Sequence, residues 1–256
     1  MSFLQAVILG IIEGITEFLP ISSTGHLILS GRMMHLAQTE FLKSFDIAIQ
    51  SGAILAVVAI YGRMLMRDSR LIKRVLAAFV PTAVVGLVFY RLIKKFLLGN
   101  PQVVIWALLL GGIVIVVFEK VYQRRPHPPA SAGGIHYSQA VLIGLFQSLA
   151  VVPGVSRSAA TILGGLALGL PRRTIVEFSF LLAVPTMLAA TGYDLVRSMP
   201  AFSTAEIGLL SVGFGVSFVV ALGSIKFLLY FIQRFSFELF GYYRIGIALL
   251  FCVFLY

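Results

Sequence analysis

Residues 13–26 read EGITEFLPISSTGH. Two carboxylates, Glu13 and Glu17, stand four residues apart in an otherwise apolar run, so they share one helix face. Carboxylates at membrane depth are costly and mark function more often than structure; the plainer reading is a pair of interfacial charges that reach water. Pro20 ends the half-helix, because proline lacks an N–H and its ring clashes with the preceding turn. Ser22, Ser23, Thr24 and Gly25 follow, then His26 and a second apolar run. Ser22 alone reads as a helix cap. As a group, hydroxyls at a helix start with free N–H groups form an anion site. His26 lies three residues past Ser23, so both can face one cavity, and a hydroxyl beside an imidazole is the usual nucleophile and base. Two carboxylates suit an acid/base pair or, with phosphate oxygens, a Mg²⁺ or Ca²⁺ ion.

A similar pattern recurs in the second half. ILGIIEGITEFLPISSTGH begins at Ile8 and LIGLFQSLAVVPGVSRSAA at Leu142. Aligning Gly10 with Gly144 brings Pro20 to Pro153 after one deletion, and Ser23 then falls on Ser156. Pro153 and Gly154 break the helix, Ser156, Arg157 and Ser158 open the next, and Thr161 lies one turn later. An arginine at the midplane needs a partner. Its fork suits phosphate oxygens, and the structural alternative is a pair with Glu13 or Glu17.

The rest of the chain excludes a soluble fold. Of 256 residues, 59% are hydrophobic and the mean hydropathy is +0.99; only lipid can solvate so much apolar surface. The net charge of +10 lies in short clusters between apolar runs, a membrane pattern and not a nucleic-acid one. The one cysteine, Cys252, excludes an intrachain disulfide. The first segment lacks a basic leader and carries Glu13 and Glu17, so it is expected to remain in the mature protein.

Spans of about 20 residues are expected near 45–65, 75–96, 101–121, 174–196, 205–233 and 238–256. Residues 3–36 and 137–170 are expected to be re-entrant helix hairpins, tolerated only where protein or water surrounds their breaks. The expected fold is therefore an all-α integral membrane protein, one polytopic domain over 1–256, with repeat 1 at about 3–121 and repeat 2 at about 137–256. Three spans per repeat invert the second, which puts the site at the midplane. Arg63, Arg67, Arg70, Lys73 and Arg74, then Lys120, Arg124 and Arg125, then Arg172 and Arg173, are expected on the cytoplasmic side; Arg91, Lys94 and Lys95 fall opposite. Arg124–Gly134 (RRPHPPASAGG) separates the halves. Gln50 is expected to line the cavity, Glu177 to pair with a nearby base and Arg244 to snorkel. His35, His127 and His136 are expected in loops.

Glu13–His26 and Pro153–Ile162 (PGVSRSAATI) resemble the two signatures of bacterial undecaprenyl-diphosphate phosphatases, the bacitracin-resistance proteins. EFSFLLAVP (Glu177–Pro185) is similar to a third block, and the resemblance covers essentially the whole chain. It implies hydrolysis of undecaprenyl diphosphate to the monophosphate, recycling the lipid carrier of peptidoglycan synthesis at the outer face of the plasma membrane, with bacitracin resistance as a consequence. It implies dependence on Mg²⁺ or Ca²⁺, and membrane lipids and a polyprenyl diphosphate as partners; a homo-oligomer is left open. Carried over residue by residue, Glu13 and Glu17 hold metal. Ser23, His26, Glu17 and Arg157 act on the substrate, and Arg157, Ser156, Ser158, Ser22, Thr24 and Thr161 bind its diphosphate. Two nucleophiles fit these residues: Ser23 with His26 as base or acid, or a metal-activated water with His26 as its base.

Three other readings compete. A lipid transporter or flippase would use the same inverted-repeat site, but the carboxylate, hydroxyl and imidazole cluster favours chemistry. Vanadium-haloperoxidase-like phosphatidate phosphatases also carry Ser-Gly-His and Ser-Arg elements, yet need a further histidine after the Ser-Arg block, and no histidine follows His136. A structural scaffold leaves the buried charges unexplained.

Overall fold

A computed structural model of the chain describes residues 1–37, 39–89, 100–124, 134–197 and 203–255. Among them the α-helices number ten, and no strand occurs. The first broken stretch is α1 (Phe3–Thr16) and α2 (Ser23–Met33), followed by α3 (Glu40–Arg67), α4 (Ser69–Val88) and α5 (Pro101–Tyr122). The second is α6 (Tyr137–Ser148), a 3₁₀ turn (Leu149–Val151) and α7 (Arg157–Ala167), followed by α8 (Arg172–Arg197), α9 (Thr204–Phe231) and α10 (Glu238–Leu255). Each expected span contains a helix. Four of these helices, α3, α4, α5 and α9, are long and apolar enough to cross a membrane. The second span, expected to reach residue 96, is helical to Val88; Arg91, Lys94, Lys95, Arg125 and His127 lie outside the described residues.

Local chemistry sets the helix ends. Thr39 caps α3 through the Leu42 N–H, Asp68 caps α4, and Asn100 caps α5 just ahead of Pro101, placing an acceptor where the first turn has orphan donors. Along α5, Trp106, Leu110, Val114, Val117 and Val121 are exposed, and along α4 Leu76, Val80, Val84 and Leu87. Apolar stripes of this length face hydrocarbon comfortably and water poorly.

The two broken stretches share their construction at one constant sequence offset. Ser2 with Gln5 and His136 with Gln139 form capping boxes at the starts of α1 and α6. The Gln5 amide donates to Met34 O and the Gln139 amide to Leu168 O. Ser22 and Ser156, both at φ +73°, cap α2 and α7. Leu36 N–H closes on Gly31 O as Leu170 N–H does on Gly165 O, with His35 (φ +53°) and Gly169 (φ +79°) in the left-handed conformation that ends such helices. The equivalence therefore runs Ser22 to Ser156 with no deletion, and corrects the pairing of Ser23 with Ser156: the backbone of the helix start, not the distance from proline, sets the register.

Helices of one half pack on those of the other. α1 lies on α9, where Gly10 and Gly14 approach the carbonyls of Gly213 and Ser217; α6 lies on α4, where Gly144 approaches that of Ala78. A Cβ at Gly144 would overlap the Ala78 carbonyl, a backbone obstacle that moves only if the helices part. Gly144→Val is expected to destabilise the detergent-solubilised protein by about 1–3 kcal/mol, read as a lower melting temperature; an unchanged midpoint would mean the two helices separate freely. On the side of the basic clusters, Arg172 bonds Glu119 at 2.6 Å, the buried Glu119 also accepts from Phe237 N–H, and the starts of α8 and α10 are thereby tied to the end of α5.

Candidate active site

The two breaks meet inside the protein. Glu17 continues the backbone of α1 and caps it; Phe18, Leu19 and Ile21 beyond it are buried, with Phe18 edge-on to Phe180 at 5.4 Å. This apolar wrapping leaves Glu17 with a defined set of polar partners. Its Oε2 accepts from Ser23 Oγ at 2.7 Å and its Oε1 from Arg157 Nη2 at 3.1 Å. Arg157 Nη1 donates to the carbonyl of Ser179 at 2.7 Å. Ser23, Glu17 and Arg157 thus form a continuous line from the first half of the chain to the second, and Ser179, inside the third block, anchors its far end. Pairing of Arg157 with Glu17 is one of the two roles that the sequence allows it.

Beside this line lies a cavity of about 220 Å³. Glu17, Ser22, Ser23, Thr24 and Gln50 line it from one half, and Pro153, Gly154, Ser156, Arg157 and Met187 from the other. Gln50 thus occupies its expected place, and Glu177 pairs with Arg173 at 3.0 Å. Ser22 and Ser156 accept from the N–H groups of Gly25 and Ala159 as caps, so their hydroxyls are partly committed while the first turns of α2 and α7 point into the same space.

Four expected site residues sit away from that lining. Ser158 is buried and donates to Phe18 O at 2.7 Å, joining α7 to the first break. Thr161 donates to Arg157 O at 2.8 Å within its own helix. Glu13 is fully buried one turn before Glu17, and neither carboxylate oxygen has a hydrogen-bond partner among the described residues. His26 contacts Ser22 O through Nδ1 and Tyr243 Oη through Nε2, both at 2.8 Å. The Ser23 hydroxyl is therefore bonded to Glu17 and not to His26, and the hydroxyl–imidazole pair expected from their spacing is not formed here.

Arg244 departs furthest from expectation. It does not snorkel: it is fully buried and donates to the carbonyls of Gly154, Val155, Ala107, Leu108 and Pro20 at 2.8–3.4 Å. Pro20 and Gly154 are equivalent positions of the two breaks, so one guanidinium holds both. Carbonyls freed where a helix is interrupted need donors in a dry interior, and Arg has five. A charge in the middle of an apolar span was the available signal. At the place equivalent to Glu13, the second half carries Gln147, whose amide donates to the hydroxyls of Thr82 and Thr186. The acidic pair thus belongs to one half alone.

Long apolar helices define a multi-pass membrane protein, and its two internal breaks meet at a buried carboxylate–hydroxyl–arginine line. The chain belongs to the bacitracin resistance protein BacA family, which matches residues 6–250. It is 50% identical over 250 residues to the undecaprenyl-diphosphatase of Aquifex aeolicus (strain VF5), covering 98% of this chain and 97% of that one. The undecaprenyl-diphosphatase of Sulfurihydrogenibium sp. (strain YO3AOP1) is 50% identical over 251 residues, 98% of each. That of Persephonella marina is 47% identical over 254 residues, 99% of each.

Proposed function

We propose that this chain hydrolyses undecaprenyl diphosphate to undecaprenyl phosphate and inorganic phosphate in the bacterial plasma membrane, at a site open to the outer face. This recycles the lipid carrier for peptidoglycan synthesis and confers bacitracin resistance, since bacitracin sequesters the substrate. The observation that carries the reading is the Ser23–Glu17–Arg157 line beside a cavity that both breaks enclose. It is a phosphoryl-transfer layout: a hydroxyl with a proton acceptor, next to a cation that can take phosphate oxygens.

In this reading six helices cross the membrane, α1–α2 and α6–α7 are re-entrant hairpins, and the two repeats are inverted within one domain. The shared caps and reciprocal helix packing support it. The polyprenyl tail lies among membrane lipids and the headgroup enters the cavity. Ser23 Oγ attacks the distal phosphorus, its proton passes to Glu17, and the monophosphate leaves. Protonated Glu17 holds Arg157 less tightly, which frees the guanidinium for the phosphate oxygens. Water then attacks the phosphorus of phosphoryl-Ser23, Glu17 returns its proton to the departing Ser23 oxygen, and the phosphate leaves carrying the water's oxygen and protons. Ser22, Thr24 and Ser156 bind the diphosphate from the helix starts, and Ser158 and Thr161 act by holding α7 in place.

A divalent cation belongs to this reading on the strength of Glu13 alone, since no group of three or more His, Cys, Asp or Glu side chains gathers among the described residues. Two buried carboxylate oxygens of Glu13 lack partners among the described residues, and an all-oxygen donor set suits Mg²⁺ or Ca²⁺. Glu13, behind the cavity, and Glu17, which lines it, would hold the ion, and the chemistry it would supply is charge neutralisation of the diphosphate.

The test is phosphate release from a long-chain polyprenyl diphosphate by the purified protein. Activity is expected to fall at least about 10²-fold with EDTA and to return with Mg²⁺ or Ca²⁺. Ser23→Ala is expected to lose at least about 10³-fold; a variant that keeps most of the activity would exclude Ser23 as nucleophile. A folded protein that binds the lipid and releases nothing, but moves it between leaflets of liposomes, would replace the hydrolase by a transporter.

A further inference from the structure

His26 is buried, with both ring nitrogens committed at 2.8 Å. One partner, the Ser22 carbonyl, can only accept. Nδ1 must therefore carry the proton, and in the neutral ring Nε2 is left as a bare acceptor. The Tyr243 hydroxyl faces that nitrogen and donates to it. The two rings are parallel, with an interplanar angle of 2° and centroids 5.5 Å apart, so the tyrosine fixes both the tautomer and the plane of the imidazole.

What His26 grips is equally specific. Ser22 stands at φ +73°, a conformation that non-glycine residues adopt only when their surroundings enforce it. The next residue is Ser23, whose Oγ lies 2.7 Å from Glu17. Neighbouring Arg244 holds the Pro20 carbonyl of the same turn. Consecutive residues of α10 thus brace the first break from two directions, Arg244 directly and Tyr243 through His26.

We propose that Tyr243 is a positioning residue that acts through His26: it holds the imidazole in the tautomer that donates to the Ser22 carbonyl, and so fixes the turn that presents Ser23 to Glu17. His26 in this arrangement is a brace and not the base for Ser23. The effect of Tyr243 on kcat rests on the hydrolase reading; its hold on His26 does not.

The test uses full-length protein labelled with ¹⁵N-histidine, and Tyr243→Phe, which keeps the ring and its stacking. The His26 Nε2 resonance is expected to move toward that of an unbonded imidazole nitrogen while Nδ1 stays protonated, and kcat to fall about tenfold or more with KM little changed, the scale on which loss of an imidazole's outer partner is felt. A purely structural part for the tyrosine would lower the melting temperature and leave kcat of the folded protein in place, which would overturn the proposal. His26→Asn, whose amide can donate as Nδ1 does, is expected to retain more activity than His26→Gln. An unmoved Nε2 resonance, a loss carried by KM alone, or His26→Gln outperforming His26→Asn would each overturn the proposal. If the unsubstituted protein releases no phosphate, the hydrolase reading fails, and the resonances still decide whether Tyr243 braces His26.

Discussion

Arg157→Ala is expected to lower phosphate release by about 10³-fold or more, the scale on which an arginine that stabilises a transferring phosphoryl group is felt. It also removes the partner of a buried carboxylate: Glu17 keeps Ser23 but loses Nη2. An unpaired buried charge costs about 3–5 kcal/mol, so the melting temperature falls too. Two further variants separate the effects. Pairing Arg157→Gln with Glu17→Gln removes both charges and is expected to recover most of the stability and none of the activity. Arg157→Lys keeps a positive charge but cannot span Glu17 and the Ser179 carbonyl with one planar fork, and is expected to stay at least about 10²-fold below the unsubstituted protein. Full activity in Arg157→Lys would mean that the site needs a charge and no fork.

Arg244→Met is expected to be the most damaging substitution for the fold. Methionine fills much of the volume but donates nothing, and five carbonyls lose a donor together. Each unsatisfied buried carbonyl costs about 1–3 kcal/mol, so even with relaxation the loss exceeds about 4 kcal/mol, the range reserved for broken buried networks. The expected result is little protein in the membrane, and what is recovered by mild detergent should be inactive and melt early. Lysine at this position restores charge with three donors in place of five and is expected to rescue yield in part. A Met variant with normal yield and melting temperature would show that the breaks hold themselves.

Much of this architecture is legible in the sequence because its causes are local. Pro20, Pro153 and Gly154 break helices by backbone geometry, Ser22 caps because hydroxyls cap, and apolar length makes spans. The pairing of the breaks is also within reach, since Arg157 needs a partner and the candidates are few. The unread part depends on long-range neighbours. Nothing near His26 in sequence points to Tyr243, and nothing near Arg244 to carbonyls more than eighty residues away. Hydroxyls are the weakest signal: Ser156 and Ser158 stand two apart in one motif, yet the first lines the cavity and the second turns to Phe18 O. Matching prolines misplaces the register of the repeat by one residue, because what the two halves share is the backbone shape of the helix start.

The reciprocal packing of the halves has a consequence for biogenesis. During synthesis the acidic segment α1–α2 leaves the ribosome long before α9, the helix against which Gly10 and Gly14 close, and before α10, which carries Tyr243 and Arg244. Arg157, the cation of Glu17, comes earlier on α7, but until α9 and α10 are inserted the glycine face of α1 is uncovered and the Pro20–Ser22 turn lacks its contacts with Arg244 and, through His26, with Tyr243. The turn that carries Ser23 is therefore braced in full only when the two C-terminal helices are in place.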